Sequence, residues 1–306
     1  MRARQRGVAV VTALLLTTLA VTIVASLFWR QQIAIRALEN QRLQLQTQWV
    51  LRGTVDWARR VLREDARLSN VDHLGEDWAK PLPATKLDNY VDNGRAETDA
   101  SVASASGAIV DAQSFYNLSN LAQNAIPNPK EVQVFQRLLA ILQIDPKLAP
   151  GLALALAATQ SGAAPAGATE GAPPQQAPLA HDDDLLSVPG FSREVIDKLK
   201  DFVVVLPTPT AINVNTAGPE VLAARMGKST TEVAALIASR GQAYFRDDGD
   251  FENRAHGALV PGELELQSHY FLVNGKVRIE RAGLEMQALI YRKNTGNTTV
   301  KWLREY

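Results

Sequence analysis

Two short acidic runs are the residues of this chain whose types could hold a metal ion. Residues 182–184 are three consecutive aspartates, and residues 247–250 read Asp-Asp-Gly-Asp. Carboxylate oxygens bind calcium, but neither run has the spaced carboxylates of an EF-hand loop. Acidic runs of this kind usually form solvated loops. We therefore expect no cofactor, and the weak calcium candidates are Asp182, Asp183 and Asp184.

The other reactive residue types form no catalytic pattern. The chain has no cysteine, which excludes disulfides, zinc–thiolate sites and cysteine catalysis. Its four histidines are far apart in sequence, with no i, i+4 pair. Gly227-Lys228-Ser229 lacks the preceding glycine and the strand of a phosphate-binding loop. The sequence therefore predicts a protein that is not an enzyme.

Two segments have the pattern of a helix-hairpin-helix, which in nucleic-acid binders presents helix N-termini to phosphate. The first spans residues 185–196, and the second begins at residues 212–217. Residues 181–202 contain six acidic and three basic side chains, whereas a phosphate-binding surface needs several lysines or arginines. We expect a scaffold for packing and partner contact, without a nucleic-acid partner. The alternative is a membrane-anchored nucleic-acid-binding protein of the competence type.

The N-terminus predicts a membrane anchor behind a short basic leader. Residues 1–7 carry three arginines, and residues 8–28 are 21 residues without a charge. At about 1.5 Å per residue, this run matches a hydrocarbon core of about 30 Å. A secretory signal has its cleavage site after the apolar run, whereas here the cleavage-like Arg6-Gly7 precedes it. The leader arginines would stay in the cytoplasm and send the rest to the periplasm, giving a single-pass inner-membrane protein.

The helical pattern continues beyond the membrane. No proline occurs between Trp29 and Leu68, which predicts one helix of about 60 residues. Apolar residues recur at every fourth position around Gly53, and we expect them to pack against a sheet. The residues of this stripe are Leu45, Trp49, Trp57 and Val61. A coiled-coil stalk is the alternative.

Composition divides the rest of the chain. Residues 159–180 contain 14 Ala, Gly or Pro among 22 residues, and this predicts a disordered linker. Helices are expected at residues 130–142, 184–202, 216–226 and 229–240. Strands are expected near residues 90–91, 96–102 and 107–111, and as a hairpin from residue 268 to residue 292. The order predicts a sheet domain from residues 29–115 and 261–306, with an α-helical domain inserted at 116–260.

Several motifs, taken in order, make the chain resemble the K-type minor pseudopilins of type II secretion. They are Gln5-Arg6-Gly7-Val8-Ala9, His73-Leu74-Gly75-Glu76-Asp77-Trp78-Ala79-Lys80-Pro81, Gly107-Ala108-Ile109-Val110-Asp111 with Asn117-Leu118, Asn213-Val214-Asn215-Thr216-Ala217, and Ser268-x-Tyr270-Phe271. The resemblance covers nearly the whole chain. It implies an α+β, pilin-like fold: a long N-terminal transmembrane helix packed on an antiparallel sheet, with an inserted all-α helix-hairpin-helix-like domain.

The resemblance also implies processing and partners. The prepilin peptidase would cleave after Gly7 and methylate the new N-terminus at Val8. The mature protein would assemble in the inner membrane with the minor pseudopilins I, J and H at the tip of the pseudopilus, and support export of folded proteins across the outer membrane. The linker at residues 159–180 stands where relatives carry an acidic stretch, and this departure argues against calcium.

Thr12 predicts a position in the filament. It is the fifth residue counted from Val8, where most pilins and pseudopilins have Glu. In those relatives the carboxylate pairs with a neighbour's N-terminal ammonium inside the bilayer, where an unpaired charge costs on the order of 3 kcal/mol. Thr12 cannot neutralise an ammonium, although it can return its hydroxyl to the helix backbone. We expect the first, uppermost position, as a cap; the alternative is that Thr12 is simply tolerated in the span.

Overall fold

The computed structural model of the chain describes residues 6–86, 103–160, 179, 182–279 and 282–306. The leader before Arg6, the strands expected near residues 90–91 and 96–102, and nearly all of the predicted linker lie outside the described residues.

Long strands flank a series of short helices along the chain. The α-helices are α1 (Arg6–Leu68), α2 (Pro129–Ile141), α3 (Leu148–Gln160), α4 (Arg193–Leu199), α5 (Pro219–Met226), α6 (Thr230–Gln242) and α7 (Asp248–Ala255). The strands are β1 (Leu82–Lys86), β2 (Ser104–Asp111), β3 (Tyr116–Asn117), β4 (Ala122–Gln123), β5 (Ile126–Pro127), β6 (Val203–Val204), β7 (Ile212–Asn213), β8 (Leu264–Glu265), β9 (Tyr270–Ile279), β10 (Ala282–Arg292) and β11 (Thr298–Glu305). This order is that of a helical insertion within a sheet domain.

A five-stranded antiparallel sheet, ordered β1-β2-β9-β10-β11, packs against the second half of α1. In register, Asp111 of β2 lies opposite Phe271 of β9. The core between helix and sheet is apolar; among its members are Leu51, Val55, Leu62, Trp78, Ile109, Val273, Val277 and Ile290. The α+β fold expected from the sequence, a long N-terminal helix on an antiparallel sheet, is confirmed.

The side of α1 that faces the sheet is not the predicted stripe. The buried residues of this side are Leu43, Thr47, Leu51, Val55, Ala58 and Leu62. Leu45, Trp49 and Trp57 are instead exposed, by 50%, 69% and 41%, and Val61 is half-buried. With 3.6 residues per turn, positions spaced strictly by four rotate by about 40° at each step and leave the face. The predicted packing of Leu45, Trp49 and Trp57 against the sheet is therefore wrong.

Between β2 and β9 the chain forms a helical part with its own core. The members of that core include Phe135, Leu138, Leu152, Ile196, Leu222, Phe245 and Phe251. Helix α2 lies within one residue of the predicted helix at both ends, whereas α3 and α7 were not predicted. Strand β8 pairs in parallel with β7, so the helical part extends beyond the predicted boundary at residue 260.

The helical part lies at the end of the sheet farther from the apolar half of α1. Near the apolar half, Gln48 of α1 donates a hydrogen bond to Glu305 at the end of β11, at 3.1 Å. At the other end, Leu62 of α1 lies beside Arg292, the last residue of β10. The chain leaves the sheet at Asp111 and re-enters it at Tyr270, both at this second end.

Candidate functional site

The first half of α1 carries the residues expected to be processed and inserted into a membrane. Gly7 and Val8 lie in the first turn of the helix, which begins at Arg6. The helix is long and apolar enough to cross a membrane, and this apolar window is entirely exposed. Thr12 Oγ1 donates a hydrogen bond to the carbonyl oxygen of Ala9 at 3.0 Å. Thr12 thus returns its hydroxyl to its own helix, as the sequence suggests.

The second half of α1 presents tryptophans and arginines on the side away from the sheet. Trp49 and Trp57 are exposed, with Gly53 between them on the same row of the helix surface. The guanidinium carbon of Arg52 lies 5.7 Å from the centre of the Trp49 ring. This surface is therefore open to contact with another chain.

A buried ionic cluster joins α1, the sheet and the helical part. Arg292, at the end of β10, is 2% exposed. Its guanidinium donates hydrogen bonds to the carboxylate of Asp72 at 2.5 and 2.6 Å, and to that of Asp65 at 2.6 Å. It also donates to the carbonyl oxygen of Ser268 at 3.0 Å. One side chain therefore connects the end of α1, the loop that follows it and the segment entering β9.

Asp111 is the second centre of this cluster. Its Oδ2 accepts hydrogen bonds from Ser268 Oγ at 2.6 Å, Thr216 Oγ1 at 2.5 Å and Asn213 Nδ2 at 3.0 Å. Its Oδ1 accepts from the backbone N–H of Gln113 at 2.8 Å. Because Asp111 ends β2 while Asn213 and Thr216 belong to the helical part, this carboxylate fixes the helical part to the sheet.

The crowding of carboxylates changes their protonation. Burial, together with the charges of Glu76 and Asp72, raises the pKa of Asp65 to about 7. Burial raises the pKa of Asp111 to about 6, although the hydrogen bonds it accepts oppose the shift. Burial also raises the pKa of Glu76. Burial thus shifts the equilibrium of each of these carboxyl groups towards its neutral form.

The motif from His73 to Pro81 closes over the cluster. Glu76 Oε2 accepts hydrogen bonds from the backbone N–H of His73 at 2.9 Å and from Trp78 Nε1 at 2.8 Å. Trp78 is buried and packs edge-on against Phe271, with ring centroids 5.3 Å apart. The His73 ring stacks on Tyr244 of the helical part at 3.7 Å. His73, Glu76 and Trp78 of this motif thus each contact a specific partner at the junction.

Three carboxylates of the cluster have the spacing of a metal site. Asp65, Asp72 and Glu76 each offer an oxygen within 4.8 Å of the others. The guanidinium of Arg292 already pairs with two of them, so the arrangement acts as an ion-paired junction. Sequence reasoning missed it because Asp72 and Arg292 are 220 residues apart. The motifs quoted from the sequence supply several of its residues, among them Asp111, Asn213 and Ser268, but a motif does not show which other segment it contacts.

The two acidic runs are engaged in local contacts. Asp183 pairs with Arg193 at 2.8 Å. Asp247 caps α7 by accepting a hydrogen bond from the backbone N–H of Asp250 at 2.8 Å. The run at residues 247–250 is largely exposed to solvent, as expected of such runs, but it begins a helix and is not a loop. Acidic side chains in the first turn complement the helix dipole.

Two arginines of the helical part hydrogen-bond to groups within that part. Arg225 is buried and pairs with Glu131 through two hydrogen bonds, at 2.6 and 2.8 Å. Arg240 donates to the backbone carbonyls of Val214 and Ala217, each at 2.8 Å. A phosphate-binding surface would present such groups outward. These arginines therefore stabilise the helical part.

Comparisons with known proteins identify relatives along most of the chain. Two family models, both described as type II secretion system (T2SS), protein K, match residues 114–208 and 212–273. A type II secretion system protein K from Pseudomonas aeruginosa is 32% identical over 82% of this chain and 77% of its own length. One from Dickeya chrysanthemi is 25% identical over 95% of each chain.

A solved structure has the same fold. It is that of the GspK–GspI–GspJ complex of the type 2 secretion system of enterotoxigenic Escherichia coli. The match has a TM-score of 0.62 and 19% sequence identity, and covers 88% of this chain and 98% of the other. From the fold, the family models and the identity to the Pseudomonas protein, the chain belongs to the type II secretion system protein K family.

Proposed function

We propose that this protein is a non-enzymatic minor pseudopilin that caps or initiates the pseudopilus at its tip and supports export of folded proteins across the outer membrane. Thr12 is the observation that carries the proposal. Its hydroxyl is hydrogen-bonded to Ala9 of its own helix, and it has no carboxylate to pair with a neighbour's ammonium. A subunit built in this way has no electrostatic reason to enter beneath another. Its own N-terminus can still receive the next subunit.

The position of the helical part supports the same conclusion. It lies at the end of the sheet farther from the apolar half of α1, where the chain leaves at Asp111 and returns at Tyr270. In a filament whose subunits stand side by side on their long helices, this is the outward end. A bulky part there would occupy the space that a subunit above requires.

Family membership supports our proposals for processing, location and partners. We expect cleavage after Gly7 by the prepilin peptidase, N-methylation of Val8, and a single-pass anchor among inner-membrane lipids. The N-terminus lies in the cytoplasm and the part of the chain after the membrane span lies in the periplasm. The partners are the I and J pseudopilins, as in the Escherichia coli complex, together with H.

Crosslinking with Thr12→Glu tests this function. The chain has no native cysteine, so one engineered cysteine on the exposed side of α1 gives a clean crosslink in cells with a complete secretion system. The unaltered protein should crosslink to I and J, and not along the shaft formed by the major pseudopilin. Thr12→Glu should allow entry along the shaft, because its carboxylate can pair with a neighbour's ammonium.

The matched control is Thr12→Gln, which has the size of Glu without its charge. It should crosslink as the unaltered protein does. Crosslinks of the unaltered protein to the major pseudopilin throughout the shaft would contradict the capping role.

A further inference from the structure

Gly53 makes a gap in a ridge of side chains on the exposed side of α1. Trp49, Gly53 and Trp57 follow one another at four-residue spacing, so they form one row on the helix surface. A Cβ built on Gly53 would meet nothing within 4 Å. The two indoles are separated by about 12 Å along the helix axis, at 1.5 Å of rise per residue.

The gap has the form of a hole for a side chain from another helix. In helix pairing, such a side chain enters a space bounded by four residues of the facing helix. Around Gly53, the positions at −4, −3, +3 and +4 are Trp49, Val50, Asp56 and Trp57. Trp49 and Trp57 are exposed and Val50 is half-buried, so the walls of this Gly53 notch are mainly apolar. Its floor is bare backbone.

Gly53 and the exposed Trp49 do not add to the stability of the isolated subunit. Glycine in a helix interior costs about 1 kcal/mol relative to alanine, and Gly53 packs on nothing that alanine would disturb. Trp49 leaves 69% of its surface exposed. Trp is among the residues that most often carry the energy of protein interfaces, and glycine lets another backbone approach closely. The notch therefore has the composition of a contact surface.

The charged residues around the notch indicate the charge of its partner. Arg52, Arg60 and Arg63 lie on the exposed side of α1, and Arg52 lies over the Trp49 ring. Residues 29–68 contain eight arginines, no lysine and four acidic residues. Asp56 and Glu64 on the same side offset part of this charge, and the excess that remains is positive, which favours a partner segment with negative charge.

We infer that the Gly53 notch receives a bulky apolar side chain from an acidic segment of a neighbouring pseudopilin's long helix. This inference rests on the proposed function, because it takes the neighbour to be I or J. Beyond the proposed function, the inference gives the position on α1 at which the contact is centred and the kind of residues that the partner must carry.

The test is co-purification of the full-length protein with co-expressed I and J from detergent-solubilised membranes. Gly53→Leu fills the notch and should reduce the recovered I and J by about tenfold. Gly241→Leu is the matched control, because Gly241 is also a helical glycine with nothing within 4 Å of an added Cβ. It should leave recovery unchanged. Trp49→Ala, which removes one wall, should act like Gly53→Leu.

Charge reversal tests the acidic character of the partner. Arg60→Glu should lower recovery of I and J, whereas Lys147→Glu, on the exposed surface of the helical part, should not. Full recovery with Gly53→Leu and Trp49→Ala would overturn the notch while leaving the proposed function intact. Failure of the unaltered protein to recover I and J would overturn both. Equal melting temperatures for Gly53→Leu and the unaltered protein would exclude unfolding as the cause of a loss.

Discussion

At the residue scale, Arg292 is the side chain at which separate parts of the molecule meet. It is 2% exposed and pairs with Asp65 at the end of α1 and with Asp72 in the loop beyond. Its guanidinium carbon also lies 4.6 Å from the centre of the Phe271 ring. A buried ion pair does not by itself imply high stability, but removing one partner leaves an uncompensated charge in the interior.

We expect Arg292→Met to lower the free energy of unfolding by about 3–5 kcal/mol. Urea denaturation of a soluble fragment that starts at Trp29 would measure this. The control is Lys276→Met, since Lys276 and Glu285 form an exposed pair and such pairs contribute about 0–1 kcal/mol. Similar losses for the two variants would contradict the role given to the buried cluster.

The raised pKa of Asp65 predicts a pH dependence. The pKa of Asp65 is about 7 in the folded protein, against 3.8 for the ordinary side chain. The contribution of Asp65 to the free energy of unfolding is therefore fully present below pH 3.8 and is lost as the pH rises through about 7. The melting temperature of the fragment should therefore exceed that of Asp65→Asn by more at about pH 5 than at about pH 8. Burial lowers the pKa of His73, which opposes the gain at acid pH, but His73 is present in both proteins. A difference that does not vary with pH would contradict the assignment.

At the element scale, α1 has two opposite sides of different character. One side packs on the sheet through residues such as Leu51 and Leu62, which are at most 1% exposed. The opposite side carries Trp49 and the arginines and lies open. A helix that is apolar on two sides is typical of an element that packs within its own subunit and against another.

This division predicts unequal effects of truncation on stability. Leu51→Ala should lower the free energy of unfolding by about 2–5 kcal/mol, because it leaves a cavity between helix and sheet. Trp49→Ala should change it by less than about 0.5 kcal/mol, as at other exposed sites. Urea denaturation of the same fragment measures both. A larger decrease in the free energy of unfolding for Trp49→Ala would support the packing against the sheet that the sequence predicts.

The elements differ in how far the sequence predicts them. The length of α1 could be predicted because a long run without charge is followed by a long run without proline. The hairpin of β9 and β10 could be predicted because apolar and polar residues alternate along both strands. Helix α3 was missed because its Leu- and Ala-rich sequence merges into the Ala-, Gly- and Pro-rich segment that follows. Strand β11 was not predicted because it forms by pairing with β10, and no local sequence pattern reveals that pairing. The predicted stripe on α1 was wrong because positions spaced strictly by four rotate away from the buried side, which Leu51, Val55 and Leu62 form instead.

At the scale of the whole molecule, the junction between sheet and helical part is assembled from distant segments. Asp72, Asp111, Asn213, Ser268 and Arg292 converge there, and each is buried. The sequence predicted an insertion but could not place these residues together, since polar residues in separate loops carry no periodic signal. The resulting molecule has an apolar helix at one end and a helical part at the other. This polarity suits a subunit that occupies one end of a filament.

Labelling of isolated pseudopili with gold-conjugated antibody against the helical part tests the central claim most directly. The filaments would come from cells with a complete secretion system, and electron microscopy would record where the gold lies. If the protein caps the filament, gold marks a single end of each pseudopilus and is absent from the shaft. Gold distributed along the shaft would contradict the capping role.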